Sequence, residues 1–149
     1  MPLGNQAESD LLALLFLNTA WANIGNSGGL LGSTVAGSYF IALHTSNPGQ
    51  AGNQSTSEAA YSGYARVAIA RSGSGWSLSG SDPTISSNVA AATYPTSASG
   101  PETESYFSIG TLSTGAGEYL WYGALTTPLV VNIGITPSFA GGALTAGMT

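Results

Sequence analysis

The stretch Tyr61-Ser62-Gly63-Tyr64-Ala65-Arg66-Val67-Ala68-Ile69-Ala70 decides how this chain is read. Ala65, Val67 and Ile69 fall on one side and Tyr64, Arg66 and Ala68 on the other, a period of two that belongs to an extended strand. Upstream, Tyr39-Phe40-Ile41-Ala42-Leu43 is a compact apolar run of strand length that stops at His44-Thr45. Ser46-Asn47-Pro48-Gly49 follows as a turn, because proline fixes φ at its position and glycine tolerates the reversal. Residues 50–57 are polar and read as a long loop. Downstream, Gly73, Gly75 and Gly80 bracket a short strand at Trp76-Ser77-Leu78. Further strands are expected at residues 84–86, 89–94, 105–112, 119–125, 129–132 and near 143–145, each bounded by Gly, Pro, Ser or Asn. Many short strands at fairly regular spacing predict a sandwich or barrel.

The N-terminus departs from this pattern. Asn5 with Glu8 three residues on reads as a capping box, and Glu8 and Asp10 complement the helix dipole in the first turn. Ala7, Leu11, Leu14 and Leu15 recur on one helical face, with Leu12 and Phe16 as an adjoining stripe. So wide an apolar surface on one short helix calls for cover from its own sheet or from a neighbouring subunit. Residues 23–37 carry five glycines (Gly25, Gly28, Gly29, Gly32 and Gly37) and read as a loop. Their spacing is not that of a phosphate-binding loop, and no Lys follows. No repeat, heptad or linker divides the 149 residues, so one domain is expected over 1–149, with the helix and its exit in 1–24 and the β-sandwich in 38–149.

Charged residues make up 6% of the chain, against about 25% in an ordinary soluble domain. Lysine is missing from the sequence, Arg66 and Arg71 are the only strongly basic side chains, and the formal net charge is -5. Two arginines supply no basic patch, which disfavours nucleic acid as a partner, and an acidic chain is a poor partner for an anionic membrane. The apolar run Leu11 to Leu17 is too short to span a bilayer, and the acids before it are not the positive flank of a secretory signal. A surface of Ser, Thr, Ala and Gly is cheap to dehydrate, because burying a small hydroxyl costs far less than burying an unpaired charge. This composition therefore suits a chain that packs against other proteins.

Routes to chemistry are few. With one histidine, His44, and no cysteine, a zinc site lacks ligands, and no Asp-rich calcium loop is present. No nucleophile elbow precedes a helix, and Ser72-Gly73-Ser74-Gly75 reads as a loop. Glu102 and Glu104 follow Pro101 two apart, a spacing read here as a charged loop that blocks edge pairing rather than as a glycosidase pair. No catalytic residue, metal ligand or cofactor is expected. Arg66 and Arg71, isolated in so neutral a chain, are expected to pair specifically with a carboxylate or with carbonyls, in this chain or in a neighbour. The aromatic row Tyr119-Leu120-Trp121-Tyr122 suits an interface hot spot or a sugar platform.

Three blocks carry a resemblance: residues 39–52 (YFIALHTSNPGQAG), residues 61–72 (YSGYARVAIARS) and residues 134–144 (GITPSFAGGAL). Together they resemble a family of small tailed-bacteriophage virion proteins, some tail-fibre-like and some similar to head decoration (cement) proteins. The resemblance implies a mainly β fold, an antiparallel β-sandwich or jelly-roll-like domain with one N-terminal α-helix, and a homotrimer on the virion surface, made in the bacterial host cytoplasm. The expected function is a capsid decoration protein that binds between major capsid protein subunits on the outer shell and stabilises it by its binding free energy. Candidate contacts are the helix with its exit (Leu12, Phe16, Trp21), the loop after β-turn residues Asn47 and Pro48 with Gln50, the pairing points Arg66 and Arg71, and the aromatics Trp121 and Tyr122. The alternative is a tail-fibre or receptor-binding module in which Trp76, Trp121 and Tyr122 line a groove for host glycan.

Overall fold

The computed structural model describes residues 3–25 and 28–148. Asn26 and Ser27 of the expected glycine-rich loop lie outside the described residues, as do Met1, Pro2 and Thr149. In chain order the elements are α1 (Asn5–Leu17), β1 (Ser38–His44), β2 (Val67–Ala70), β3 (Trp76–Ser79), β4 (Ile85–Asn88), β5 (Ala92–Thr93), β6 (Glu102–Gly110), β7 (Tyr119–Val131), β8 (Ser138–Phe139) and β9 (Thr145–Gly147). The fold is mainly β, all its recorded strand pairs are antiparallel, and its helix lies near the N-terminus. The chain forms two compact units, each from separate stretches: unit 1 from residues 1–38, 69–91 and 140–149, unit 2 from residues 39–68 and 92–139.

Unit 2 is organised by β1. Ile41, Ala42, Leu43 and His44 are all buried, so both faces of the strand are covered and its sequence shows a run instead of alternation. β1 pairs with β6 from Phe40↔Gly110 to His44↔Tyr106, and the sheet order is β2-β1-β6-β7. Strand β2 is shorter than the alternating sequence suggests: residues 61–66 leave the extended pattern and serve as a polar brace described below. Conversely, the two strands expected at 119–125 and 129–132 are one strand, β7, with a bulge. Between Glu104↔Leu129 and Tyr106↔Ala124, β6 advances two residues while β7 advances five. The bulge contains Pro128, which lacks an N–H and is tolerated because β7 is an edge strand. Tyr94, buried behind β5, donates its O–H to the Ile41 carbonyl at 3.3 Å and stacks on Tyr64 at 6.1 Å between centroids.

Gln54 fastens the long loop of unit 2. It is fully buried; its Nε2 donates to the Phe40 carbonyl at 3.0 Å and its Oε1 accepts from the Leu112 N–H at 2.9 Å. A Cβ at Gly110 or Gly117 would collide with this side chain, so both positions need glycine for close approach, not for turning.

In unit 1, α1 packs on the three-stranded sheet β3-β4-β9. Phe16 meets Trp76 edge to face at 4.7 Å, and both are fully buried with Leu12. Such a pair contributes about 0.5–1.5 kcal/mol beyond its area. Asn88 sews the last segment onto β4: its Nδ2 donates to the Ala90 and Ala140 carbonyls, and its Oδ1 accepts from the Leu144 N–H at 2.9 Å. Two expectations for α1 are corrected. The N-cap is Gly4, with no side-chain capping bond, so Asn5 and Glu8 form no capping box. Glu8 turns inward instead and accepts from the Thr84 N–H at 3.4 Å, which makes Glu8, Leu12 and Phe16 the buried stripe while Leu11, Leu14 and Leu15 are half-buried.

Candidate interface residues and the buried polar clusters

Arg71 begins the turn after β2 and serves α1. The last carbonyls of any helix have no partner within it, and the dipole leaves that end negative. Arg71 Nε donates to the Leu15 carbonyl at 2.6 Å and Nη2 to the Leu14 carbonyl at 2.8 Å. Its Nη1 reaches Ser33 Oγ at 3.0 Å and the Ala36 carbonyl at 3.3 Å. The helix has no basic residue in its own last turn, so this cation is supplied from 54 or more residues downstream. Beyond it, Asn18 adopts a left-handed conformation (φ 57°) and exchanges two bonds with the Ser33 backbone, 2.6 and 2.8 Å.

Arg66 has its carboxylate in this chain. It meets Glu58 through two parallel bonds, Nε to Oε1 at 2.6 Å and Nη2 to Oε2 at 2.7 Å. Nη1 donates to the Leu112 carbonyl and Nη2 also to the Gly115 carbonyl, at 2.8 and 2.7 Å. The Arg66 side chain is 2% exposed and that of Glu58 19%. Tyr64 extends the network: its O–H donates to Glu58 Oε1 and its oxygen accepts from the Leu43 N–H, each at 3.0 Å. Burial, with Glu58 beside it, pushes the Tyr64 phenol well above its ordinary value. The guanidinium fork thus ties the segment 55–58 to the turn 112–115, and the Tyr64 hydroxyl joins strand β1 to the same brace.

His44, where the apolar run of β1 stops, forms a second buried cluster with Ser108. The ring Nδ1 lies 2.8 Å from the Thr56 carbonyl, which can only accept, so Nδ1 carries the proton. Nε2 then accepts from Ser108 Oγ at 2.8 Å. Desolvation lowers the pKa of His44 and keeps it neutral. A serine donating to a neutral histidine is the arrangement of a nucleophile and its base, but both side chains are fully buried. With no solvent path to Ser108, the pair is a structural link between β1 and β6.

Glu102 and Glu104 are not in a loop. Both belong to β6, and Glu104 is 0% exposed. Neither of its oxygens has a hydrogen-bond partner among the described residues. Its pKa is pushed up to about 8, by burial first and by Glu102 second. No group of three or more metal-ligating side chains exists among the described residues, and no described helix is long and apolar enough to cross a membrane.

The other expected contact residues scatter. Leu12 and Phe16 are interior to unit 1 and present no surface, because the helix buries the stripe that sequence reading placed second. Trp76 is fully buried against Phe16, so it lines no groove. Trp21 is half-buried and pairs its backbone with Leu30. Asn47 and Gln50 are exposed and Pro48 is buried; Asn47 Oδ1 accepts from the Gly49 N–H, closing the expected turn. Trp121 and Tyr122 on β7 are half-buried. The most exposed large apolar side chains are ones that sequence reading did not select: Val35 at 80%, Leu31 at 75% and Ile133 at 73%. Each lies in a segment without regular structure, where no periodicity marks it. The β7 bulge walls an open cavity of about 300 Å³ whose other lining includes Leu43, Tyr94, Pro137 and Phe139.

The family model described as Podophage GP4 fiber I protein gp80 matches residues 4–147. No curated protein matches the chain.

Proposed function

This chain belongs to the podophage GP4 fiber I protein gp80 family, a family of phage virion structural proteins, and on that premise we propose that it is a building block of a fibre on the virion. The observation that carries this reading is that the chain's polar resources are spent internally. Arg66 and Arg71 are engaged with Glu58 and with carbonyls of this chain, while Val35, Leu31 and Ile133 stand out to solvent. A surface short of free cations and dotted with apolar side chains gives up little hydration when covered by another protein. Its work is to pack, not to catalyse: the Ser108–His44 pair is sealed from solvent. The fibre in the family's description favours that placement over the shell.

The second reading, a decoration protein bound between major capsid protein subunits, draws on the same neutral surface and predicts a different number of copies. Counting densities on virions by electron cryomicroscopy separates the two. Tens of copies at one vertex or along an appendage support the fibre; hundreds spread over the shell support decoration. Self-association is part of the proposal, with a homotrimer expected, and sedimentation velocity of the purified protein gives the stoichiometry directly. Binding of host glycan by the Trp121–Tyr122 face is tested by glycan-array screening, with loss of signal in Trp121→Ala expected if that face is the receptor site.

A further inference from the structure

We propose that Glu102 and Glu104 share one proton and act together as a pH-sensitive latch on β6. The two residues are two apart on one strand, so their side chains leave the same face. Glu102 is fixed by the Ala60 N–H, which donates to its Oε1 at 2.7 Å. Glu104 is fully buried with two oxygens that no donor reaches among the described residues. An ionised carboxylate in that position would be a buried charge with no compensation, which proteins avoid by neutralising the group. A single proton held between the carboxyls supplies the missing donor and removes one of two adjacent negative charges.

Every group facing the pair permits this. The phenols of Tyr61 and Tyr94 lie within its field; burial first and the two carboxylates next raise Tyr61 to about 12, while burial first, then Tyr64 and Tyr61, and only then Glu104 raise Tyr94, so neither ionises in the relevant range. Across the ladder, Glu104 faces Leu129 of β7 and Glu102 faces Val131, neither of which titrates. The cations are elsewhere, Arg66 on Glu58 and Arg71 on the helix carbonyls. The register at Glu104↔Leu129 is the last before the β7 bulge, so a second charge there falls where the ladder is already interrupted.

The sign follows from the raised value. The folded carboxyl titrates near 8 and the unfolded one near 4.5, so folding takes up a proton between those limits. The stabilisation is complete below about 4.5, is lost as pH rises towards 8, and is level beyond.

The test is urea unfolding of the full chain and of Glu104→Gln from pH 6.5 to 9. The ratio of the two unfolding constants is expected to rise about tenfold per pH unit up to pH 8 and then flatten, because one proton is released on unfolding. A ratio independent of pH overturns the latch. Should Glu104→Gln fail to fold, carbon-13 NMR of the wild-type carboxyls decides: one glutamate titrating near pH 8 supports it, and all titrating below pH 6 overturns it. Calcium added at pH 7 is a third arm. Stabilisation of wild type but not of Glu102→Gln would replace the shared proton by a shared cation and overturn the proposal.

Discussion

Arg66 in unit 2 and Arg71 in unit 1 are the same side chain put to different uses. Arg71 touches four oxygens and no carboxylate; its charge is balanced by the negative end of a helix. Arg66 carries a formal ion pair and uses its remaining donors on turn carbonyls. The difference teaches that a cation can be satisfied without a carboxylate where a helix ends, by three backbone carbonyls and one hydroxyl, whereas the brace between irregular segments uses an anion to hold the fork in one orientation. It also explains how a chain with so few charges orders its loops: each arginine replaces many weaker contacts.

The contrast can be broken from either side. Arg66→Met is expected to cost the most, about 3 kcal/mol in urea unfolding, since it strands Glu58 with only the Tyr64 hydroxyl. The low end of the range for a buried pair applies because Glu58 keeps some solvent contact. A cycle with Glu58→Gln should show coupling of about 1–3 kcal/mol, while Arg71→Met crossed with the same change should be additive within about 0.5 kcal/mol. Coupling between Arg71 and Glu58 would sink the comparison. Arg71→Met comes next, at about 2 kcal/mol, with faster amide exchange in α1 as its local signature. His44 should give a smaller, pH-dependent effect of opposite sign to that of Glu104. Its folded value lies below 6.5, so its contribution is full above that pH and fades as pH falls through the folded value. Unfolding at pH 5 against pH 7, in wild type and His44→Asn, measures it; equal pH dependence in both would refute the neutral buried ring. Asn18→Ala is the mildest, about 1 kcal/mol, because alanine resists the left-handed conformation; Asn18→Gly should cost less.

What the sequence revealed is unequal across the molecule. The β1 run, the Asn47-Pro48-Gly49 turn and the strand at Trp76 are local patterns, and local patterns are readable. Thr126, Thr127 and Pro128 read as a break between two strands, and only the pairing of β7 with β6 shows them to be a bulge within one strand. The pattern Asn5 to Glu8 satisfies a capping template, yet a distant backbone N–H, that of Thr84, claims Glu8. Partners of Arg66 and Arg71 lie up to 49 and 57 residues away, beyond the reach of any periodicity. Glu104 reads as a loop residue for the same reason: the groups around it, Tyr61 and Tyr94 before it and Leu129 after it, are distant in sequence.

The engagement of both arginines carries a practical consequence. Trypsin cleaves after a basic side chain that it must draw into its own specificity pocket. The chain offers it Arg66 and Arg71 and no lysine, and in the folded state each guanidinium is already held by at least four bonds. The folded subunit is therefore a substrate that withholds its cleavage sites, and resistance to trypsin becomes a direct assay of whether both braces are closed.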